Sequence, residues 1–217
     1  MLMFENGTTM VMAGDSVTDS GRKKPVAVNR KEELGKGYVS LVDALLTACY
    51  PELRMRIVNA GIGGETVVDL AGRWESDVMV WQPDYVTCMI GINDIGREFD
   101  EEHLPHRLTG YEKFLAAYEE IISRTVKEVK TMYILSCCYM EPNKEEPLRA
   151  MVEKYNAGVK ELCEKYGAVY IDMMAMFDQA MEHNHPVRYT WDRVHPSLGG
   201  HMMIAREFLK TAGAELG

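Results

Sequence analysis

Short continuous apolar runs alternate along the chain with longer segments in which apolar residues recur three or four positions apart. The short runs predict five strands, over residues 8–13, 54–58, 85–90, 131–137 and 168–172. The longer segments predict amphipathic helices over residues 36–49, 67–81, 108–129, 147–166 and 196–212. Strands that alternate with helices favour an α/β fold, in which helices cover both faces of a five-stranded parallel sheet.

Composition and charge narrow the class of protein. The chain has 217 residues, of which 47% are hydrophobic and 26% charged, as in an ordinary globular protein, and we expect one domain over residues 1–217. With a net charge of −9, the chain is not expected to present the basic surface that binds nucleic acid or an anionic membrane. The apolar start is interrupted at Glu5 and no basic segment precedes it, so we expect no signal peptide and a cytoplasmic protein.

The cysteines and histidines predict neither disulfides nor a metal site. The five cysteines are an odd number without a C-x-x-C pair, and we expect all five to be buried and reduced. The histidine pairs His103/His106 and His183/His185 have no cysteine or carboxylate partners at ligand spacing, which favours surface or loop histidines. The sequence therefore predicts no metal and no cofactor.

Two polar segments directly follow the first two predicted strands, where ligands of parallel sheets bind. In Gly14-Asp15-Ser16, a serine on a sharp turn can act as a nucleophile and an oxyanion donor, or can merely cap the next helix. Residues 59–66 contain three glycines whose N–H groups can approach an anion or oxyanion, or can form a tight turn capped by Thr66. The glycine spacing does not match a phosphate-binding P-loop.

Two further segments complete a candidate site. In Gly91-Ile92-Asn93-Asp94, after the third strand, the asparagine can donate to a developing oxyanion, while Asp94 is expected to brace the turn. Asp192 and His195 lie three residues apart before the last helix and can face one point. The simpler alternatives are an Asn-Asp turn, a helix cap and a surface histidine. Asp19 is a weaker candidate acid, and the basic cluster Arg22-Lys23-Lys24 either touches substrate or faces water.

At these residues the sequence resembles the SGNH (GDSL-type) hydrolase family, whose four blocks match in order between about residues 10 and 210. The resemblance implies a three-layer α/β/α sandwich of flavodoxin-like topology. It makes Ser16 the nucleophile, His195 the general base and Asp192 the acid that orients it. The implied oxyanion hole consists of the N–H groups of Ser16 and Gly64 and the side chain of Asn93. The adjacent Gly63 is an alternative to Gly64 as the donor.

A narrower similarity is to intracellular bacterial acetylxylan esterases of this family. It is carried by the segments 37–39, 42–46, 50–54, 89–94 and 191–197. It implies a small-molecule ester substrate, an acetylated oligosaccharide, and a homo-oligomeric enzyme. Tyr139, Tyr189 and Trp191 are candidates for the flat faces that bind a sugar. The alternatives are a lysophospholipase or thioesterase of the same family, a non-catalytic carbohydrate-binding protein, and a flavodoxin-like nucleotide-binding protein.

Overall fold

The computed structural model describes residues 2–30, 33–100, 104 and 108–216. Five parallel strands form one sheet in the order β2-β1-β3-β4-β5. Their bounds are β1 Thr9–Gly14, β2 Arg56–Gly61, β3 Tyr85–Met89, β4 Thr131–Leu135 and β5 Val169–Ile171. Four consecutive residues of β1, Met10 to Ala13, are fully buried, as expected when helices cover both faces of a sheet.

Eight α-helices connect and cover the strands in the part of the chain that is described. They are α1 Ser16–Asp19, α2 Tyr38–Cys49, α3 Val67–Gly72, α4 Ile92–Asp100, α5 Tyr111–Thr125, α6 Pro147–Tyr166, α7 Met173–Met181 and α8 Leu198–Thr211. Helices α2, α7 and α8 pack together in one layer, and α3, α4, α5 and α6 pack together in another. The predicted three-layer α/β/α sandwich is confirmed.

The second strand is shifted along the chain from its predicted position. It was predicted over residues 54–58, but it runs from Arg56 to Gly61, so residues 59–61 belong to the strand and not to the turn. A polar residue fits this buried strand because the Asn59 side chain is fully hydrogen-bonded. Its amide group donates to the carbonyls of Thr18 and Leu34 and accepts from Gly61 N–H.

The helix predicted over residues 67–81 is broken. Helix α3 ends at Gly72, and a wide π-type turn (Trp74–Val78) and a 3₁₀ turn (Met79–Trp81) follow. Trp74 anchors the break, since its indole N–H donates to Thr125 Oγ1 on α5 at 2.9 Å. Tertiary packing therefore overrides the helical spacing of this segment.

Three smaller expectations are also corrected. Residues 96–107 were expected to be irregular, but α4 extends to Asp100; residues 101–103 and 105–107, with His103 and His106, lie outside the described residues. Cys49 is exposed, whereas the other four cysteines are buried as predicted. Pro196 lies before α8, whose N-cap is Ser197.

Candidate active site

Ser16 lies just past the carboxyl end of β1, an interior strand between β2 and β3, where the chain turns sharply into α1. At Gly14 a Cβ atom would overlap the carbonyl oxygen of Met89 and the Thr18 hydroxyl, so only glycine fits this turn. Asp15 caps α1 by accepting the Val17 N–H at 3.0 Å. Burial raises the pKa of Asp15 to about 6. The turn presents the Ser16 hydroxyl at the edge of the sheet.

Three side chains that are distant in sequence form one hydrogen-bonded series at this edge. Ser16 Oγ lies 2.9 Å from Nε2 of His195, although the two residues are 179 positions apart in the chain. Nδ1 of the same imidazole lies 2.6 Å from Oδ2 of Asp192. The predicted serine, histidine and aspartate are therefore brought together.

The turn that carries Asp192 and His195 is organised by the aspartate itself. Asp192 Oδ1 accepts the backbone N–H groups of Val194 and His195 at 3.0 and 2.7 Å. Arg193 adopts a left-handed conformation with φ +71°, which lets the chain reverse between the two functional residues. Burial opposes ionisation of Asp192, but the hydrogen bonds from the His195 ring and the two N–H groups outweigh it and lower the pKa of Asp192.

The segment after β4, which contains Met140 and Glu141, also holds this turn. Met140 N–H donates to the carbonyl of Arg193 at 2.7 Å, and the Arg193 guanidinium pairs with Glu141 at 2.9 Å. Glu141 is itself held by Arg149, a fully buried residue of α6 that donates to the Glu141 carbonyl and pairs with Asp178. The sequence did not predict this network, because its signal was a single arginine, Arg149, among the apolar positions of α6.

A second feature of the site is the glycine loop, which comprises residues 62–66. Gly63 N–H donates to Asp19 Oδ2 at 3.1 Å, whereas Gly64 N–H has no hydrogen-bond partner among the described residues. Gly64 has φ +84°, a conformation that favours glycine. Of the two adjacent glycines, Gly64 is thus the one whose N–H remains available to a ligand.

Asn93 and Arg97 of α4 fix the outer side of the glycine loop. Asn93 Nδ2 donates to the carbonyl of Glu65 at 2.9 Å, which uses one of its two amide hydrogens. Arg97 donates to the carbonyl of Gly64 at 2.5 Å. The Glu65 carboxylate is in turn paired with Arg73.

The predicted sugar-binding residues differ in how much surface they offer. Trp191 is 77% exposed, and its indole stacks on the His195 imidazole with ring centroids 5.7 Å apart and planes at 13°. Tyr139 is only 8% exposed. The hydroxyl of Tyr189 donates to the Ala180 carbonyl at the end of α7. Trp191 is therefore the residue of the three that offers an open aromatic face next to the histidine.

The remaining polar candidates have structural partners. Arg22 is buried and donates to the carbonyls of Gly61, Lys23 and Pro25, while Lys23 and Lys24 pair with Glu33 and Asp19. Among the described residues, no group of three or more His, Cys, Asp or Glu side chains could hold a metal ion. No helix within these residues is long and apolar enough to cross a membrane.

Comparison with known proteins agrees with this geometry. The profile of the GDSL-like lipase/acylhydrolase family matches residues 12–203. The chain belongs to this family. As a member of the GDSL-like family it is a carboxylic ester hydrolase, and the predicted enzyme class is confirmed.

The chain is also similar to characterised GDSL-like proteins over nearly its whole length. It is 39% identical over 210 residues to an acetylxylan esterase of Geobacillus stearothermophilus, covering 97% of this chain and 96% of the relative. A crystal structure of an acetylxylan esterase from that organism superposes with a TM-score of 0.96 at 38% identity, covering 99% and 98% of the two chains. The structure of an α/β hydrolase from the Lake Arreo metagenome superposes with a TM-score of 0.95 at 40% sequence identity, covering 98% of each chain.

Three similar solved structures are described as catalytic mutants of the Geobacillus esterase. In them a serine, a histidine or an aspartate, respectively, is replaced by alanine. These are the three residue types that form the hydrogen-bonded series at the sheet edge of the present chain.

Proposed function

We propose that this protein is a serine esterase that removes acetyl groups from xylo-oligosaccharides or related acetylated sugars. The observation that carries the proposal is the hydrogen-bonded series from Ser16 through His195 to Asp192. Beside it lies the glycine loop, whose Gly64 N–H has no partner among the described residues. The similar enzyme from Geobacillus stearothermophilus, named as an acetylxylan esterase, supports the substrate class.

In the proposed first step, Ser16 Oγ attacks the carbonyl carbon of the acetyl ester. A serine hydroxyl is a poor nucleophile at its own pKa, so His195 Nε2 takes its proton as the new bond forms. Asp192 holds the tautomer that leaves Nε2 free and stabilises the resulting imidazolium. The bond from the acyl carbon to the sugar oxygen then breaks, and the imidazolium returns the proton to that oxygen.

In the second step, water attacks the acetyl-serine ester. His195 accepts a proton from the water and passes it to Ser16 Oγ as the acyl carbon leaves, which releases acetate. The reaction consumes only the ester and water, so the proposal includes no cofactor.

Negative charge develops on the former carbonyl oxygen in both steps. We assign its stabilisation to the N–H groups of Ser16 and Gly64 and to the second amide hydrogen of Asn93. Donors that are already fixed when the charge appears lower the barrier, because little reorganisation is needed.

The sugar is proposed to bind on the outer side of His195. The exposed Trp191 indole offers a flat apolar face there. The sugar-binding roles of Tyr139 and Tyr189 stay predictions. We further propose, from the family resemblance, that residues 1–217 act as one domain, that the enzyme is a homo-oligomer, and that it works in the cytoplasm.

A fluorophosphonate probe tests the catalytic part of the proposal. The probe forms a covalent bond with an activated serine, so we expect one label per chain in the wild type and none in Ser16→Ala. Ser20→Ala is the matched control, because this serine lies four residues further along and should leave labelling intact. A folded wild-type protein that takes up no label would favour the non-catalytic carbohydrate-binding alternative.

A substrate panel tests the proposed specificity. We expect acetate release to be fastest from acetylated xylo-oligosaccharides, slower from acetylated glucosides and absent from phospholipids. With p-nitrophenyl esters, the rate should be highest for acetate and fall with chain length. A maximum at octanoate, or faster cleavage of a lysophospholipid or thioester, would overturn the acetyl-sugar assignment and favour the lipase-like alternative.

A further inference from the structure

Two buried carboxylates hold the glycine loop, one at each end. Asp19 Oδ2 accepts Gly63 N–H at 3.1 Å near the start of the loop. Asp94 accepts Val67 N–H, directly after the loop, with Oδ2 at 3.0 Å and Oδ1 at 3.2 Å. The two carboxylates therefore bond to main-chain N–H groups at the two ends of the loop.

Each carboxylate belongs to an element that carries another oxyanion donor. Asp19 is the last residue of the four-residue helix α1, which begins at Ser16. Asp94 directly follows Asn93 in the first turn of α4. Each aspartate thus links the glycine loop to one of the other two donors by a short rigid path.

The burial of both side chains argues that these contacts are persistent. Asp94 is fully buried and Asp19 is 7% exposed, and a buried carboxylate is costly unless it is hydrogen-bonded. Burial raises the pKa of Asp94 to about 7. For Asp19, burial is outweighed by Lys24 and the Gly63 N–H, and the pKa is lowered.

The contact to Asp19 also decides which N–H group faces a ligand. Because Gly63 donates to Asp19, the next N–H in the chain, that of Gly64, is left without a protein partner among the described residues. A loop that lost this contact could rotate the peptide groups and present either N–H or neither.

Resting on the proposed function, we propose that Asp19 and Asp94 are positioning residues that set the spacing of the Ser16, Gly64 and Asn93 donors before substrate binds. Neither carboxylate touches the reacting atoms. Their effect is on the placement of the donors, and misplacement of such groups by about 1 Å can cost roughly 100-fold in rate.

Variants at Asp94 give the cleanest test, because asparagine keeps an oxygen that can accept the Val67 N–H. We expect Asp94→Ala to lower kcat on p-nitrophenyl acetate by about 10–100-fold with KM within about threefold. Asp94→Asn should recover most of that loss. Asp19→Ala should resemble Asp94→Ala, and circular dichroism and thermal melting establish that each variant is folded.

A second measurement is the affinity for a boronic acid that forms a tetrahedral adduct with Ser16. A general loss of stability does not change this affinity in a folded variant. The affinity for the boronic acid should fall by the same factor as kcat, because the adduct places an oxygen where the oxyanion develops, while the affinity for the product acetate should stay nearly constant. The matched control is Asp172→Ala, which removes a carboxylate that caps α7 through the Ala175 N–H and should leave both affinities unchanged.

The possible outcomes separate this inference from the proposed function. A folded Asp94→Ala variant with wild-type kcat, a rise in KM alone, or an Asp94→Asn variant as impaired as the alanine variant would each overturn the positioning role. Should Asp94→Ala not fold, Asp19→Ala decides it by the kcat and KM criteria given for Asp94→Ala. Failure of the wild type to release acetate, or an unaffected Ser16→Ala variant, would instead overturn the proposed function.

Discussion

The glycine loop and the turn that carries the histidine face each other across Ser16, but they are held in different ways. The main chain of the glycine loop donates to Asp19 and accepts hydrogen bonds from Asn93 and Arg97. The histidine turn is organised around one carboxylate, and the His195 side chain remains 40% exposed. Oxyanion donors work best when they are immobile, whereas the base must exchange protons with a leaving group and with water.

The largest expected effect comes from removing the series that joins the two regions. We expect Ser16→Ala to lower kcat by roughly 10⁴–10⁶-fold and Asp192→Asn by roughly 10²–10⁴-fold, because the nucleophile is lost or the tautomer is wrong. Acetate release measures both, and unchanged melting temperatures serve as the control. A variant of Ser16 that retains wild-type turnover would mean that the two regions do not share one reaction centre.

The next effect isolates the glycine-loop side. Asn93→Ala should lower kcat by about 10²–10³-fold, equivalent to about 3–4 kcal/mol, with little change in KM, since one donor to the oxyanion is removed. Steady-state kinetics on p-nitrophenyl acetate measure the split. An increase in KM at constant kcat would indicate that Asn93 binds the ground state instead.

On the histidine side, Arg149 holds Glu141, which in turn pairs with Arg193 of the histidine turn. Replacing Arg149 is therefore expected to lower the stability of the protein. Arg149→Met leaves the Glu141 carbonyl without its donor and the Asp178 carboxylate with Lys144 alone at 3.4 Å. We expect the free energy of unfolding to fall by about 2–4 kcal/mol. Arg124→Met is the matched control, because its ion pairs are exposed and are worth less than about 1 kcal/mol. Equal losses in urea denaturation for the two variants would contradict the importance of the buried network.

A histidine beneath the same region predicts a pH-dependent stability. His201 Nδ1 accepts Tyr38 N–H at the start of α2 at 3.2 Å, and burial, followed by the nearby His195, lowers its pKa to about 4. The contribution of the neutral ring is complete above the ordinary histidine pKa of about 6.5 and is lost as the pH falls from there through 4.

The loss at low pH amounts to about 2–3 kcal/mol by linkage. His201→Gln keeps an oxygen acceptor but cannot take up a proton, so its melting temperature should fall less than that of the wild type between pH 7.5 and 4.5. Buried acids with a raised pKa, such as Asp15, act in the opposite direction, and the comparison with the variant cancels them. Parallel curves for the two proteins would exclude His201 as the source.

The smallest expected effect concerns the open face of the histidine turn. Trp191→Ala should raise KM for an acetylated xylo-oligosaccharide by about 3–10-fold, because an aromatic contact worth about 1 kcal/mol is lost. The KM for p-nitrophenyl acetate should change less. Trp191→Phe keeps a flat ring and should be nearly wild type. Equal effects on both substrates would assign Trp191 to the support of His195 alone.

The sequence predicted the order of strands and helices because the buried strands and amphipathic helices carry strong periodic patterns. It missed α4, since Asn93, Asp94 and Gly96 interrupt the apolar spacing, and it misplaced β2, where a buried asparagine looks like a turn residue. Ser16 was predictable from a motif that follows a strand, and Asp192 and His195 from their spacing before the last helix. The contacts of Asp19 with Gly63, of Glu141 with Arg193 and of Arg149 with Asp178 were not, because these partners lie 29 to 52 positions apart in the chain.

The distance along the chain between Ser16 and His195 has a consequence for synthesis of the protein. The two residues are 179 positions apart, so the hydroxyl emerges from the ribosome well before its imidazole partner. A nascent chain therefore carries an inert serine until the turn with His195 has been made and has docked beside it. Ester cleavage thus reports completion of the fold, and turnover during refolding can time the last assembly step.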